Sequence, residues 1–170
     1  MNKIYSFHDP AGFVFSYQNK IYRQINNYYK NQYEHLMKSG LYEELTKKKL
    51  LIKHSEVSDS TEISSHLKKI DSKLSKDQYI IIAPEEIKCI IYPFELTFNQ
   101  LKEAALITLE IIFISLKYNM ILKDASCYNI QWHNGSPIFI DTSSFEFYEP
   151  NRPWIAYYQF CRHFIAPLAI

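Results

Sequence analysis

Two carboxylates and an amide at spacings that could serve one site lie within the stretch Leu122 to Phe145, L-K-D-A-S-C-Y-N-I-Q-W-H-N-G-S-P-I-F-I-D-T-S-S-F. They are Asp124, Asn129 and Asp141. Oxygen donors of this kind suit a hard cation such as magnesium, which takes carboxylate and carbonyl oxygens and keeps waters or phosphate oxygens in its other positions. One carboxylate is then left free to orient a group or accept a proton. A plain surface hairpin with two turn aspartates shares the same turn signal. It gives no reason for both arms to end in polar residues at matched heights.

These side chains need elements to hold them. Asn134-Gly135 sits between runs rich in Ile, Trp and Phe, the short-range signature of a two-residue type I′ hairpin. Closing that turn with His133 and Ser136 sets Asn129 opposite Ile140, one step from Asp141. Paired strands lie roughly 5 Å apart, so the two side chains converge at the open end of the hairpin. Asp124 is on the loop that feeds the first strand. Upstream, Thr97-Phe98-Asn99-Gln100 fits a capping box that starts a helix running to about Tyr118. Leu101, Ala104, Ala105, Leu109, Ile112, Phe113 and Leu116 make it apolar on most sides, which predicts a buried central helix.

The D-x-x-x-x-N of Asp124 to Asn129, followed through a hairpin by Asp141, resembles the catalytic loop and metal-binding aspartate of the protein-kinase-like fold, including its aminoglycoside-phosphotransferase branch. The resemblance implies an α+β fold, with a small antiparallel-sheet lobe followed by a helical lobe that carries the catalytic-loop hairpin. It implies Asp124 as catalytic base, Asn129 and Asp141 as metal ligands, and ATP and magnesium as cofactors. In the same frame the Gly12 turn lies over the nucleotide, Arg23 replaces the phosphate-binding lysine with Glu34 as its partner, and Glu95 belongs to a hinge that meets the adenine through backbone groups. Three features depart from the family. Leu122-Lys123 precedes the base in place of His-Arg or His-Gly, Thr142-Ser143 follows Asp141 in place of Phe-Gly, and no strand lysine is evident.

The first part of the chain reads as hairpins and helix. Alternating F-V-F-S-Y and I-Y-R-Q-I predict paired strands over Phe13–Tyr17 and Ile21–Ile25. Tyr28 to Leu51 has helical periodicity with a break at Gly40, and Lys47-Lys48-Lys49 is a solvated helix end. Residues 55–78, dominated by Ser and charge, predict a mobile polar connection. Tyr79–Ala83 and Ile87–Tyr92 predict a second hairpin around Pro84-Glu85-Glu86, after which Pro93-Phe94-Glu95 breaks the strand. The expected division is a β-rich lobe over 1–95 and a helical lobe over 96–170, with the catalytic loop at 122–145.

At 170 residues, with 47% hydrophobic and 22% charged residues, the chain has the composition of one globular domain. A net charge of +1 gives no field for nucleic acid or an anionic membrane. No signal peptide or membrane span is evident, and Cys89, Cys127 and Cys161, widely spaced in apolar surroundings, predict reduced, buried thiols of a cytoplasmic protein. Arg152, Arg162 and His163 are candidates for phosphate or substrate contact, or simply helix-surface charge. The apolar end F-I-A-P-L-A-I predicts further chain or a partner over it, so the helical lobe reads as truncated.

A second resemblance covers nearly the whole chain. D-P-A-G-F-V-F from Asp9, I-Y-R-Q-I from Ile21, the Leu122 loop, F-I-D-T-S-S-F-E, and R-P-W-I-A-Y-Y-Q-F-C-R-H-F from Arg152 resemble the amino-terminal half of bacterial proteins labelled S-adenosylmethionine-dependent methyltransferases. That label belongs to their carboxy-terminal half. With 3 glycines, none near another, this chain lacks the glycine-rich turn such a cofactor needs. Two functions follow as expectations. One is an ATP- and magnesium-dependent phosphotransferase acting on a small molecule, glycan or protein. The other is an inactive kinase-like module that binds nucleotide or a partner beside a methyltransferase domain.

Overall fold

The computed structural model describes residues 9–70 and 76–170, an α+β arrangement whose strands pair antiparallel. It forms two compact units, Met1–Tyr33 with Lys53–Glu86, and Glu34–Ile52 with Ile87–Ile170. The division therefore falls at Glu86 rather than residue 95, and residues 34–52 group with the later part of the chain.

In the first unit, β1 (Gly12–Tyr17) and β2 (Lys20–Asn26) form the expected hairpin, with Val14 opposite Arg23 and Tyr17 opposite Lys20. Gln18 and Asn19 turn the chain at φ 50° and 61°, the left-handed pair that a type I′ turn requires. β3 (His54–Glu56) and β4 (Gln78–Pro84) complete a sheet of order β1-β2-β4-β3. Because β4 already has β2 on one side and β3 on the other, no edge remains for a hairpin with Ile87–Tyr92. That stretch is not a strand. Nor is 55–78 only a connection, since β3 and the helix α3 (Thr61–Ile70) lie in it. Ile63 and Leu67 of α3 pack with Phe13, Phe15 and Ile81 on one face of the sheet. A ten-residue helix with two buried aliphatics is easily hidden among serines and lysines, because composition averages over the two faces. Residues 71–75 of the expected connection lie outside the described residues.

The second unit begins within α1 (Lys30–Lys38), which ends before Gly40, at φ 94°, from which α2 (Leu41–Lys47) starts. Leu36, Leu41 and Leu45 enter a core with Ala104, Ile111, Ile114, Leu122, Phe139, Phe145, Phe160 and Phe164. α4 (Phe98–Leu116) is capped as expected. Thr97 Oγ1 accepts the Gln100 N–H at 3.3 Å, and Gln100 Oε1 accepts the Thr97 N–H at 3.0 Å. Its burial is one-sided, however. Ala104, Ala105, Thr108, Ile111 and Ile114 face the core, whereas Leu106, Leu109, Phe113 and Leu116 are exposed. Apolar content alone does not say which faces a neighbour covers. Among the described residues no helix is long and apolar enough to cross a membrane.

Candidate functional site

Two short ribbons frame the predicted site, both in the second unit. β5 (Met120–Leu122) pairs with β8 (Phe145–Phe147), and β6 (Ile130–His133) with β7 (Ser136–Phe139). The β6–β7 register sets His133 opposite Ser136 and Ile130 opposite Phe139, as read from the Asn-Gly turn, whose residues have φ 51° and 81°. Asp124 follows β5, Asn129 precedes β6, Asp141 follows β7 and Ser144 precedes β8, so the four strand ends meet. One backbone bond extends each ribbon by a step: Ile140 N–H to Asn129 O at 2.9 Å and Lys123 N–H to Ser144 O at 2.7 Å.

The hydroxyls after Asp141 now have a role. Asp141 caps the turn Thr142–Ser144, its Oδ1 accepting from the Ser143 amide at 2.8 Å and the Ser143 hydroxyl at 2.7 Å. Asn129 Nδ2 donates to Ser144 Oγ at 3.4 Å. Thr142, Ser143 and Ser144 are all buried, so this run fastens the two metal-ligand candidates from behind. The sequence marked Thr142-Ser143 only as a departure from Phe-Gly. Polar residues directly after a candidate ligand, between apolar strands, were the available signal.

Asp124 is half-buried, with its Oδ1 accepting the Ser126 N–H at 3.0 Å. The segment around Trp154 to His163 supports this loop. Trp154 Nε1 donates to Leu122 O at 2.6 Å, Gln159 Oε1 accepts the Ala125 N–H at 2.8 Å, and Ser126 Oγ lies 3.1 Å from His163 Nδ1. Trp154, Gln159 and Ser126 were not singled out from the sequence. Their partners are backbone groups or a residue 37 positions away, invisible to local pattern. Arg152 pairs with Glu149 at 3.6 Å on the surface.

The fit to a cation is partial and specific. Among the described residues no three His, Cys, Asp or Glu side chains gather into a metal site. Asn129 and Asp141 supply a carbonyl and a carboxylate, the small protein contribution typical of magnesium held mainly by waters and phosphates. Cys127, within the loop, is buried, which pushes its thiol up to about 11. It is therefore a packing residue and not a nucleophile. Cys89 is exposed, contrary to the expectation of a buried thiol.

The nucleotide candidates distribute differently. Gly12 and Arg23 lie in the first unit, Glu95 in the second. Gly12 has φ 154°, and a Cβ there would come within 1.9 Å of Gln24 O, so strand pairing by itself demands glycine. Arg23 is on an interior strand, opposite Ile82, which also pairs with Glu56. It acts on His54, whose pKa is lowered to about 4, first by burial and then by the Arg23 charge. The His54 ring meets the Tyr33 hydroxyl at 3.1 Å, and that hydroxyl donates to Glu56 Oε1 at 2.9 Å. Glu34, the expected partner of Arg23, accepts from Lys38 at 2.6 Å. Glu95 turns back on its own 3-10 turn. Its carboxylate accepts the Tyr92 N–H at 2.7 Å and its amide donates to Tyr92 O at 2.9 Å.

No family model matches the chain. Over 169 residues it is 27% identical to the nodulation protein NoeA of Rhizobium meliloti (strain 1021), an alignment that takes in 97% of this chain and 32% of that relative. The chain thus corresponds to one part, about a third, of a longer curated protein.

Proposed function

We propose that the second unit carries the phosphate-handling half of an ATP- and magnesium-dependent phosphotransferase of the kinase-like kind. The observation that supports this most is the hydrogen bonding at the ribbon ends: Asn129 donates to Ser144, Asp141 caps the turn that carries Ser143 and Ser144, and Asp124 accepts from Ser126 in the loop before Asn129. The order of elements, hairpin, helix, loop, hairpin, aspartate, also agrees with the kinase-like resemblance. In this reading Asp124 accepts the proton of an acceptor hydroxyl as its oxygen attacks the γ-phosphorus and the bond to the β-phosphate oxygen breaks, leaving ADP. Asn129 and Asp141 bind and orient, while magnesium, when bound, neutralises charge on the phosphates. The acceptor is a hydroxyl of a small molecule, glycan or protein.

A second reading is favoured by one observation. The exposed face of α4, Leu106, Leu109, Phe113 and Leu116, suits a kinase-like module that serves as a docking partner for a methyltransferase domain without transferring phosphate. Thermal midpoints separate the two. A ligand at a hundredfold excess over its dissociation constant stabilises the folded state by about 2.7 kcal/mol. For a chain of this length that raises the midpoint by roughly 5–10 °C. The phosphotransferase reading expects this rise with ATP and magnesium together, absent with either alone and lost in Asp141→Ala. No rise would refute it.

A further inference from the structure

We infer that His163 is a positioning residue for the Asp124 loop, acting through the Ser126 hydroxyl. Its consequence for turnover rests on the phosphotransferase reading above. The loop between Leu122 and Ile130 is tied at three points to one downstream segment. Trp154 and Gln159 hold Leu122 O and the Ala125 N–H, on either side of Asp124. The third tie, Ser126 Oγ to His163 Nδ1 at 3.1 Å, is the one nearest Asn129.

Ser126 stands at a junction of the loop. Its amide donates to Asp124 Oδ1, its hydroxyl accepts the Tyr128 N–H at 3.2 Å, and its carbonyl accepts the Asn129 N–H at 3.0 Å. Whatever holds the Ser126 side chain therefore bears on both the base candidate and a metal-ligand candidate. Ser126 is 7% exposed, so an unmatched hydroxyl there would be costly.

The backbone around His163 is unusual in a way that fits. α5 (Tyr157–Phe160) runs into a π-helical turn, Cys161–Ile165, before α6 (Ala166–Leu168). Such widened turns are rare within helices and concentrate at functional sites, because the extra residue re-aims the side chains that follow. Phe160 and Phe164 are both buried, which fixes the turn to the core on either side of His163. The imidazole is further packed edge-on against Tyr128, centroids 6.2 Å apart and 70° between planes. Either tautomer of the ring can close the bond to a hydroxyl.

The test uses the 170-residue chain with His163→Ala, His163→Asn, Ser126→Ala and the double variant His163→Ala/Ser126→Ala. Asparagine places an amide where Nδ1 stood and can donate or accept. The first readout is amide hydrogen exchange. His163→Ala is expected to speed exchange at Tyr128 and Asn129 about fivefold, the factor of one ordinary hydrogen bond, with α4 unchanged. His163→Asn restores the wild-type rate, and the double variant exchanges no faster than Ser126→Ala alone, since the ring acts only through that hydroxyl. The second readout is slow hydrolysis of magnesium-ATP, with water as acceptor. His163→Ala is expected to lower kcat about fivefold at unchanged KM for ATP, with rescue by His163→Asn.

Unchanged exchange in His163→Ala, or no rescue by His163→Asn, overturns the inference, since mere packing would then explain the ring. If wild-type protein neither binds nor hydrolyses magnesium-ATP while the exchange pattern holds, the phosphotransferase reading fails and the loop-positioning role stands. Should His163→Ala not fold, His163→Phe, which keeps a ring and removes Nδ1, gives the same comparison.

Discussion

Gln131 takes the place of a missing strand. It is 5% exposed on β6, and its side chain pairs with the backbone of Ile91 at both ends: Oε1 accepts the Ile91 N–H at 2.9 Å and Nε2 donates to Ile91 O at 3.0 Å. This is the pattern of a ladder pair, made by one amide side chain, and it fixes the stretch that leads to Glu95. Gln131→Leu keeps the size and removes both bonds. At a net worth of about 0.5–1.5 kcal/mol each, less some gain from burying the leucine, the expected loss is about 2 kcal/mol. Gln131→Glu keeps the acceptor for the N–H but sets a carboxylate against the Ile91 carbonyl, so it should be worse than leucine at neutral pH. Urea denaturation followed by circular dichroism should show a lower midpoint at unchanged slope. In heating experiments the leucine variant should melt roughly 4–8 °C lower. A leucine variant within 0.5 kcal/mol of wild type, or a glutamate variant more stable than the leucine one, would refute the reasoning.

Two further outcomes are expected. His54 is held down to about 4 in the folded chain against 6.5 unfolded, so the stability of its neutral, buried state is intact above pH 6.5. That contribution erodes as pH falls from 6.5 to 4 and levels below. The stability difference between wild type and His54→Gln in urea should therefore shrink by up to about 3 kcal/mol across that window, and a flat difference would contradict it. Thiol labelling at pH 8, mapped by peptide, should modify exposed Cys89 first. Cys127, pushed up to about 11 by burial, should react only on unfolding, and equal rates would show the loop to be open.

What was legible in the sequence was local. The Asn134-Gly135 turn fixed the register of β6 and β7, the Thr97–Gln100 box fixed the start of α4, and Gly40 marked the break between α1 and α2, because each signal and its consequence lie within a few residues. What was not legible depends on pairing at a distance. Nothing in Ile87–Tyr92 says that β4 will be flanked by β2 and β3, or that Gln131, 40 positions on, will take up Ile91. The Ser143 and Ser144 hydroxyls looked like a weakened motif until their partners were placed. His163, read as a phosphate or substrate contact or as helix-surface charge, is half-buried in a π-helical turn, which helical periodicity does not reveal. Arg23 acts on His54 and Glu34 accepts from Lys38, interactions that the analogy does not supply.

The most direct measurement is a calorimetric titration of ATP into the chain with and without magnesium, repeated on Asp141→Asn and Asn129→Ala. The ribbon-end site predicts saturable, magnesium-dependent binding to wild type, weakened at least about tenfold in each variant, the effect of 1.4 kcal/mol per lost ligand. Binding of equal strength in all three proteins would put the nucleotide elsewhere. Failure of wild type to bind would remove the phosphate site from Asp124, Asn129 and Asp141 altogether.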